Sequence, residues 1–328
     1  MTRRWITAGV VGLLIGTTAV LVVAALRPDA PPRAPVAPIS LGAIEVVGDT
    51  TWRWVGPDDC NADTDIIQVQ RRTGEGEWFG TRVPLVSVSG ITFSANGDDG
   101  VALGTSTSCG RQIAVTRDGG RTWSIDERNP TLVDAWWVDQ QVWGVDISTG
   151  SAVVNPFRLI ERRVPRIASL AADAEYAQPC DARDGVPSKV AFFTERTGLL
   201  LCEHRILTSR LIARTTDGGL NYERLTDDRS ASGLDGDGTI QDFVVAGSEN
   251  VWALFDDQEC AEGQLRVSDS QGQFFTRLPC LDGKLGVEKI LGVSFTDARR
   301  GVMLAVGSNQ PLMLQTKNSG ETWTPSAD

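Results

Sequence analysis

The stretch TRDGGRTW, Thr116 to Trp123, places hydroxyls, a carboxylate, two glycines and a tryptophan within eight residues. Each type has its own use in a hairpin. A short side-chain oxygen accepts from turn amides, glycine takes up positive φ, and a large aromatic packs beneath the bend. The same frame recurs as TTDGGLNY (Thr215 to Tyr222), SDSQGQFF (Ser268 to Phe275) and TKNSGETW (Thr316 to Trp323). Its first place holds Thr116, Thr215, Ser268 and Thr316, and its third Asp118, Asp217, Ser270 and Asn318, always a side chain able to bond nearby backbone. Its fifth is Gly120, Gly219, Gly272 and Gly320, and its eighth Trp123, Tyr222, Phe275 and Trp323. This is a hairpin fastened from within. The third-place oxygen is a structural staple, so Asp118 is not available as a catalytic acid.

Successive boxes begin 99, 53 and 48 residues apart, which leaves room for a repeat without a box in the first interval. A period of about 50 residues belongs to propellers or solenoids. Each box follows one phrase, an apolar strand with an aromatic, a polar break and a second apolar strand: ITFSANGDDGVALG, VAFFTERTGLLLC, DFVVAGSENVWAL and VSFTDARRGVMLAVG. LVDAWWVDQQVWGVD supplies the phrase without a box, and AIEVVGDTTWRWVG supplies it again, followed by an eroded box, RRTGEGEW (Arg71 to Trp78). The units fall at 45–85, 88–126, 132–165, 186–226, 238–280 and 288–325. The expected fold is all-β, a six-bladed β-propeller with four-stranded antiparallel blades over residues 41–328, seven blades being the alternative count. The last box lies almost at the C-terminus, so the N-terminal strand LGAIEVV is expected to complete or latch onto the final blade.

The frame S/T-x-D-x-G-x-T-W is that of the Asp box, or bacterial neuraminidase repeat, and the chain resembles the propeller superfamily built on it. Thr116 to Trp123 matches in full and the other three with the substitutions named. That superfamily includes sialidases, polysaccharide glucanases, sortilin-type receptors and photosystem II assembly factors. The phrasing is similar in style to the last, non-enzymatic group. The resemblance implies the fold over nearly all of 41–328 and carries no functional residue with it.

Sialidases carry an arginine triad, with the first Arg in an F/Y-R-I-P motif. Here the nearest string, FRLI (Phe157 to Ile160), lacks the Pro and lies in the third unit, and Tyr176 is the one Tyr outside a box. Glycoside hydrolysis of other kinds needs two carboxylates. Asp134 and Asp242, in the first strands of units three and five, are the pair for that alternative, against solvated strand ends as the structural reading. His204 is the only His, and with Cys202 it falls short of a zinc set. LDGDGTIQD (Asp235 to Asp242) lacks the third oxygen position and closing Glu of an EF-hand. No metal or cofactor is expected. Trp52, Trp54, Trp136 and Trp137 are candidates for a binding surface in inner strands of units one and three, with packing between blades as the structural reading.

Residues 1–5 form a tip with Arg3 and Arg4. Ile6 to Leu26 run without a charge for the length of a membrane span, and residues 27–40 form a Pro-rich linker. The positive-inside bias places the N-terminus in the cytoplasm and the remainder outside. A signal peptide cleaved near Val23-Ala24-Ala25 is the alternative, making the protein secreted. Six Cys on an exported chain read as disulfides, paired by neighbourhood as Cys60–Cys109, Cys180–Cys202 and Cys260–Cys280. Setting aside the four Arg and one Asp of residues 1–40 leaves 27 basic and 41 acidic residues, a net charge of −14. Nucleic acid is therefore not an expected partner. The sequence points to a membrane-anchored scaffold for an unidentified protein or glycan of the cell envelope, with an envelope glycoside hydrolase as the alternative.

Overall fold

The computed structural model describes residues 39, 41–56, 68–126, 132–138, 141–146, 153–157, 180, 186–203, 210–225, 233–234, 238–256, 260–308 and 310–326. They form six antiparallel sheets, each a meander of consecutive strands. The first contains β1 (Leu41–Val47), β2 (Thr50–Gly56), β3 (Gln68–Thr73) and β4 (Phe79–Arg82). The second contains β5 (Ser87–Phe93), β6 (Gly100–Thr105), β7 (Arg111–Thr116) and β8 (Ser124–Ile125). The third contains β9 (Leu132–Val138), β10 (Gln141–Asp146) and β11 (Val153–Phe157). The fourth contains β12 (Val186–Phe192), β13 (Gly198–Glu203), β14 (Arg210–Thr215) and β15 (Glu223–Arg224). The fifth contains β16 (Ile240–Ala246), β17 (Asn250–Phe255), β18 (Gln264–Ser268) and β19 (Thr276–Arg277). The sixth contains β20 (Lys289–Phe295), β21 (Gly301–Gly307), β22 (Gln310–Thr316) and β23 (Thr324–Pro325).

The fold is a β-propeller. The first strand of each sheet contacts the first strands of its two neighbours, and β20 returns to β1 to close the ring. Instead of one core there are six, each between adjacent sheets. A blade interior is thus buried on both faces, which is why Leu199, Leu200, Leu201 and Cys202 form an unbroken apolar run with no exposed surface.

Two expectations need correction. Five four-stranded blades are present, not six, because the sheet of β9 to β11 has three strands among the described residues. In the four sheets with a box, the chain after the box turn returns as a two-residue fourth strand, β8, β15, β19 or β23. The third unit has no box, and the residues between β11 and Cys180 lie outside the described ones. The second correction concerns closure. β1 pairs with β2 as the first strand of its own sheet and adds no strand to the last one, which already holds four. Side chains seal the ring instead. Val46 N–H donates to Ser294 Oγ at 3.0 Å, and Ile44 packs with Leu291, Leu304, Val306 and Met313. The approach is close: a Cβ on Gly42 would stand 2.8 Å from Leu291 Cβ.

The boxes brace bends. Thr116 Oγ1 accepts from Gly120 N–H at 2.9 Å and donates to Asp118 Oδ1 at 2.8 Å. Asp118 Oδ1 accepts from Thr122 N–H at 2.8 Å, and Gly120 sits at φ 81°. The Thr215, Ser268 and Thr316 boxes repeat the bond from the fifth-place amide to the first-place hydroxyl at 2.8, 3.0 and 3.0 Å. Burial pushes the Asp118 carboxyl up, but the bonds it accepts from Thr122, Thr116 and the Arg121 amide together outweigh that and hold it below its ordinary range.

A longer period overlies the blade repeat. Trp52 on β2 stacks on Phe93 of the next sheet at 3.9 Å between centroids, and its Nε1–H donates to Gly119 O at 3.0 Å. Trp252 on β17 stacks likewise on Phe295 at 3.7 Å and donates to Ser319 O at 2.9 Å, and Trp143 on β10 stacks on Phe192 at 4.2 Å. Trp-bearing sheets one, three and five thus lock onto the Phe and box of sheets two, four and six, whose boxes begin 99 and 101 residues apart. The wheel is built of three blade pairs.

Cys180 is disulfide-bonded to Cys202 and Cys260 to Cys280. Cys109 is also disulfide-bonded, and Cys60 lies outside the described residues, as do Tyr176, His204 and the segments 1–5 and 6–26. Among the described residues no helix is long and apolar enough to cross a membrane.

Candidate functional site

The six first strands surround the centre of the wheel, and each presents a backbone edge there that has no further strand to pair with. Such groups need partners. Side chains of neighbouring strands supply them. Asp134 Oδ2 on β9 accepts from Val190 N–H on β12 at 2.8 Å. Asp242 Oδ2 on β16 accepts from Val293 N–H on β20 at 3.0 Å, and its Oδ1 from Phe243 N–H at 3.0 Å. Glu203 Oε1 accepts from Ile240 N–H at 3.3 Å, and Thr92 Oγ1 from Trp137 N–H at 3.2 Å. With Ser294 at the closure, five of the six junctions carry such a staple among the described residues.

Register shifts interrupt the pairing of these strands at corresponding points, between Val88 and Gly90, Pro187 and Lys189, Ile240 and Asp242, and Ile290 and Gly292. A bulge lets a strand re-aim a side chain. Two of the five junction donors lie within a few residues after such a shift, Val190 and Val293, and both meet an aspartate.

Asp134 and Asp242 therefore belong to one electrostatic cluster at the centre. Lys189 Nζ stands 3.7 Å from Asp134 Oδ1. Burial pushes the Asp134 carboxyl up to about 6 against the pull of Lys189 and the Val190 N–H, and Asp242 adds to the rise. Burial raises Asp242 too, against Lys189 and its two backbone donors. Glu45 on β1 is held well above its ordinary value by burial and then by Asp242. For Lys189 burial works downward, but the surrounding Asp134, Asp242 and Glu203 prevail and raise it. Burial and mutual repulsion among these carboxylates favour their protonated forms, and the one ammonium of Lys189 only partly offsets this.

The tryptophan candidates separate. Trp52 and Trp54 lie on β2, a second strand, and are 1% and 2% exposed in the core between the first two sheets, so their expected inner-strand position is corrected. Trp136 and Trp137 are on the inner strand β9. Trp136 packs at the margin of three inter-blade cores and donates from Nε1 to Phe192 O at 3.0 Å, whereas Trp137 packs between sheets two and three. Sequence reasoning singled out the two aspartates but missed Glu45, Lys189, Glu203, Thr92 and Ser294. Aligning the first strands of the units by their last apolar residue puts Thr92, Trp137 and Ser294 in one column, a signal available from the repeats.

No protein-family model matches the chain, and no curated protein sequence matches it. Solved structures do. The tricorn protease is similar over 88% of this chain and 26% of that one, at 11% identity and a TM-score of 0.55. The fucose-specific lectin from Aleuria aurantia is similar over 90% of this chain and 96% of that one, at 10% identity and a TM-score of 0.52. YCF48 from Cyanidioschyzon merolae covers 89% of this chain with 86% of its own, at 15% identity and a TM-score of 0.45. At such identities the first two, with TM-scores above 0.5, show likeness of fold alone.

Proposed function

We propose that the chain is a non-catalytic scaffold, held outside a cell membrane by Ile6 to Leu26, whose propeller binds a protein or glycan partner of the cell envelope. The observation that carries this reading is the employment of the prominent carboxylates. Asp242 has both oxygens engaged by backbone amides, Asp134 is shared between an amide and Lys189, and the box aspartates Asp118 and Asp217 accept from their own turns. These groups spend their bonding capacity on architecture. The test is crosslinking of the full chain in native membranes followed by mass spectrometry. A reproducible stoichiometric partner is the expected result, and failure to capture any removes the scaffold reading.

One observation favours a second reading, glycoside hydrolysis. A carboxyl pushed up to about 6 can act as a general acid near neutral pH, and Asp242 would be the second carboxylate. A panel of chromogenic glycosides decides. No turnover is expected, and turnover abolished by Asp134→Asn or Asp242→Asn would establish the enzyme instead.

A further inference from the structure

At the rim, sheets one and two part to leave a cavity of about 480 Å³. β3 and β4 of the first sheet supply Arg71, Thr73, Phe79 and Thr81, the turn between them supplies Glu77, and the second sheet's box turn supplies Arg121. The eroded box explains this. Arg71 stands where the other boxes have a hydroxyl that is consumed inside the turn, so a guanidinium replaces an internal staple. Arg71 lies directly opposite Phe79 across the β3–β4 pair, which puts the two side chains on one face. Phe79 is 69% exposed.

Both arginines retain donors. Arg121 Nη1 bonds Asp118 O at 3.0 Å, and neither arginine has an ion-pair partner among the described residues. Arg71 Nε is buried without a hydrogen-bond partner. Two unpaired guanidiniums beside an exposed aromatic are conspicuous on a chain of net charge −11. Among the described residues the strand beside them also has an open side. β4 is the outermost strand of its sheet and spans four residues, against two for β8, β15, β19 and β23.

We propose that this cleft docks an acidic peptide segment of a protein partner. A carboxylate of the segment is held by Arg71 and Arg121, a neighbouring apolar side chain lies on Phe79, and its backbone runs along the free edge of β4. A guanidinium fork fits a carboxylate, and an open strand edge selects a peptide over a sugar. The chain's net charge of −11 disfavours acidic segments elsewhere on its surface, and among the described residues Glu77 is the one acidic side chain that lines the cleft. This inference rests on the scaffold reading and names the chemistry of the partner.

The test selects a displayed library of random short peptides on the full chain, on an Arg71→Gln/Arg121→Gln variant and on Phe79→Ser. Enriched peptides should pair Asp or Glu with an adjacent apolar residue, and their recovery should fall on the order of tenfold or more on the double variant, as expected for lost charge-assisted bonds. Thermal unfolding of each variant controls for folding, and Arg121→Gln alone, at an exposed turn, carries the test if the double variant misfolds. The proposal is overturned by enriched peptides lacking acidic residues, by equal recovery on the variant, by no enrichment, or by polygalacturonate displacing every selected peptide. Crosslinking in native membranes separates the two readings. A partner captured equally by wild type and double variant sinks the cleft and leaves the scaffold standing, whereas no partner with wild type sinks the scaffold.

Discussion

Thr116 does its work through one oxygen. It is 2% exposed, donates to Asp118 and accepts from Gly120 N–H, so removing the oxygen without changing the shape strands a buried amide. Thr116→Val should cost about 1–3 kcal/mol, read as a lower urea midpoint at unchanged slope. An unchanged midpoint would mean that the box does not brace its bend. Asp134 makes a prediction of the opposite kind. Its folded carboxyl, at about 6 against an ordinary 3.8, holds a proton through an interval in which the unfolded chain has released it. The native state binds more protons there, so stability falls as pH rises from 3.8 to about 6. Asp242 and Glu45 are raised as well and add to the slope, while Lys189 stays charged throughout. Asp134→Asn keeps an oxygen for Val190 N–H and removes the charge, so the fall in urea midpoint between about pH 4 and pH 6.5 should shrink in the variant. A slope identical to wild type would place the proton elsewhere.

At the scale of elements, the two-residue fourth strands and the Trp lock meet at the box. A box turn supplies the return strand and also the carbonyl that Trp52 or Trp252 reaches from the preceding sheet. Trp252 is fully buried, stacked on Phe295 within 8° of parallel. Trp252→Ala should therefore cost about 3–5 kcal/mol, whereas Trp252→Phe, which keeps a ring and loses the bond to Ser319 O, should cost only about 1 kcal/mol beyond repacking. Calorimetric unfolding of the two variants checks the difference. Equal losses would show that the indole N–H, not the ring, holds sheets five and six together.

For the whole molecule the weak point is the seam between the last sheet and the first, the one junction between successive sheets of the ring that the chain does not itself connect. Leu304 has no exposed surface and packs there with Ile44. Leu304→Ala should cost about 2–5 kcal/mol and should raise amide hydrogen exchange in β1 and β20 before the other first strands. Uniform exchange around the ring would mean that the seam is no weaker than the other five junctions.

The boxes were legible in the chain because a turn is a local object: Thr116, Asp118, Gly120 and Trp123 bond and pack within a few residues of one another. Repeat spacing then implied the wheel, since units of that size cannot bury both faces alone. The paired cysteines at 180 and 202 and at 260 and 280 were within reach for the same reason, each closing a short segment. Closure was not legible. Val46 and Ser294 are 248 residues apart, and nothing in either neighbourhood encodes the other. The centre was half legible. Asp134 and Asp242 stood out by their places in the repeat, but their part as acceptors for Val190 and Val293 depends on which edge each neighbouring strand leaves unpaired. The rim cleft, where Arg71 and Arg121 meet from positions 50 residues apart, likewise exists only once the first two sheets pack. Sequence by itself determined the box hairpins, because hydrogen bonds within a turn are short in chain length, whereas the number of four-stranded blades came from the sheets. Tertiary structure alone decided which charges would lie without solvent and which would remain unpaired, because burial and ion pairing are set by neighbours from other blades.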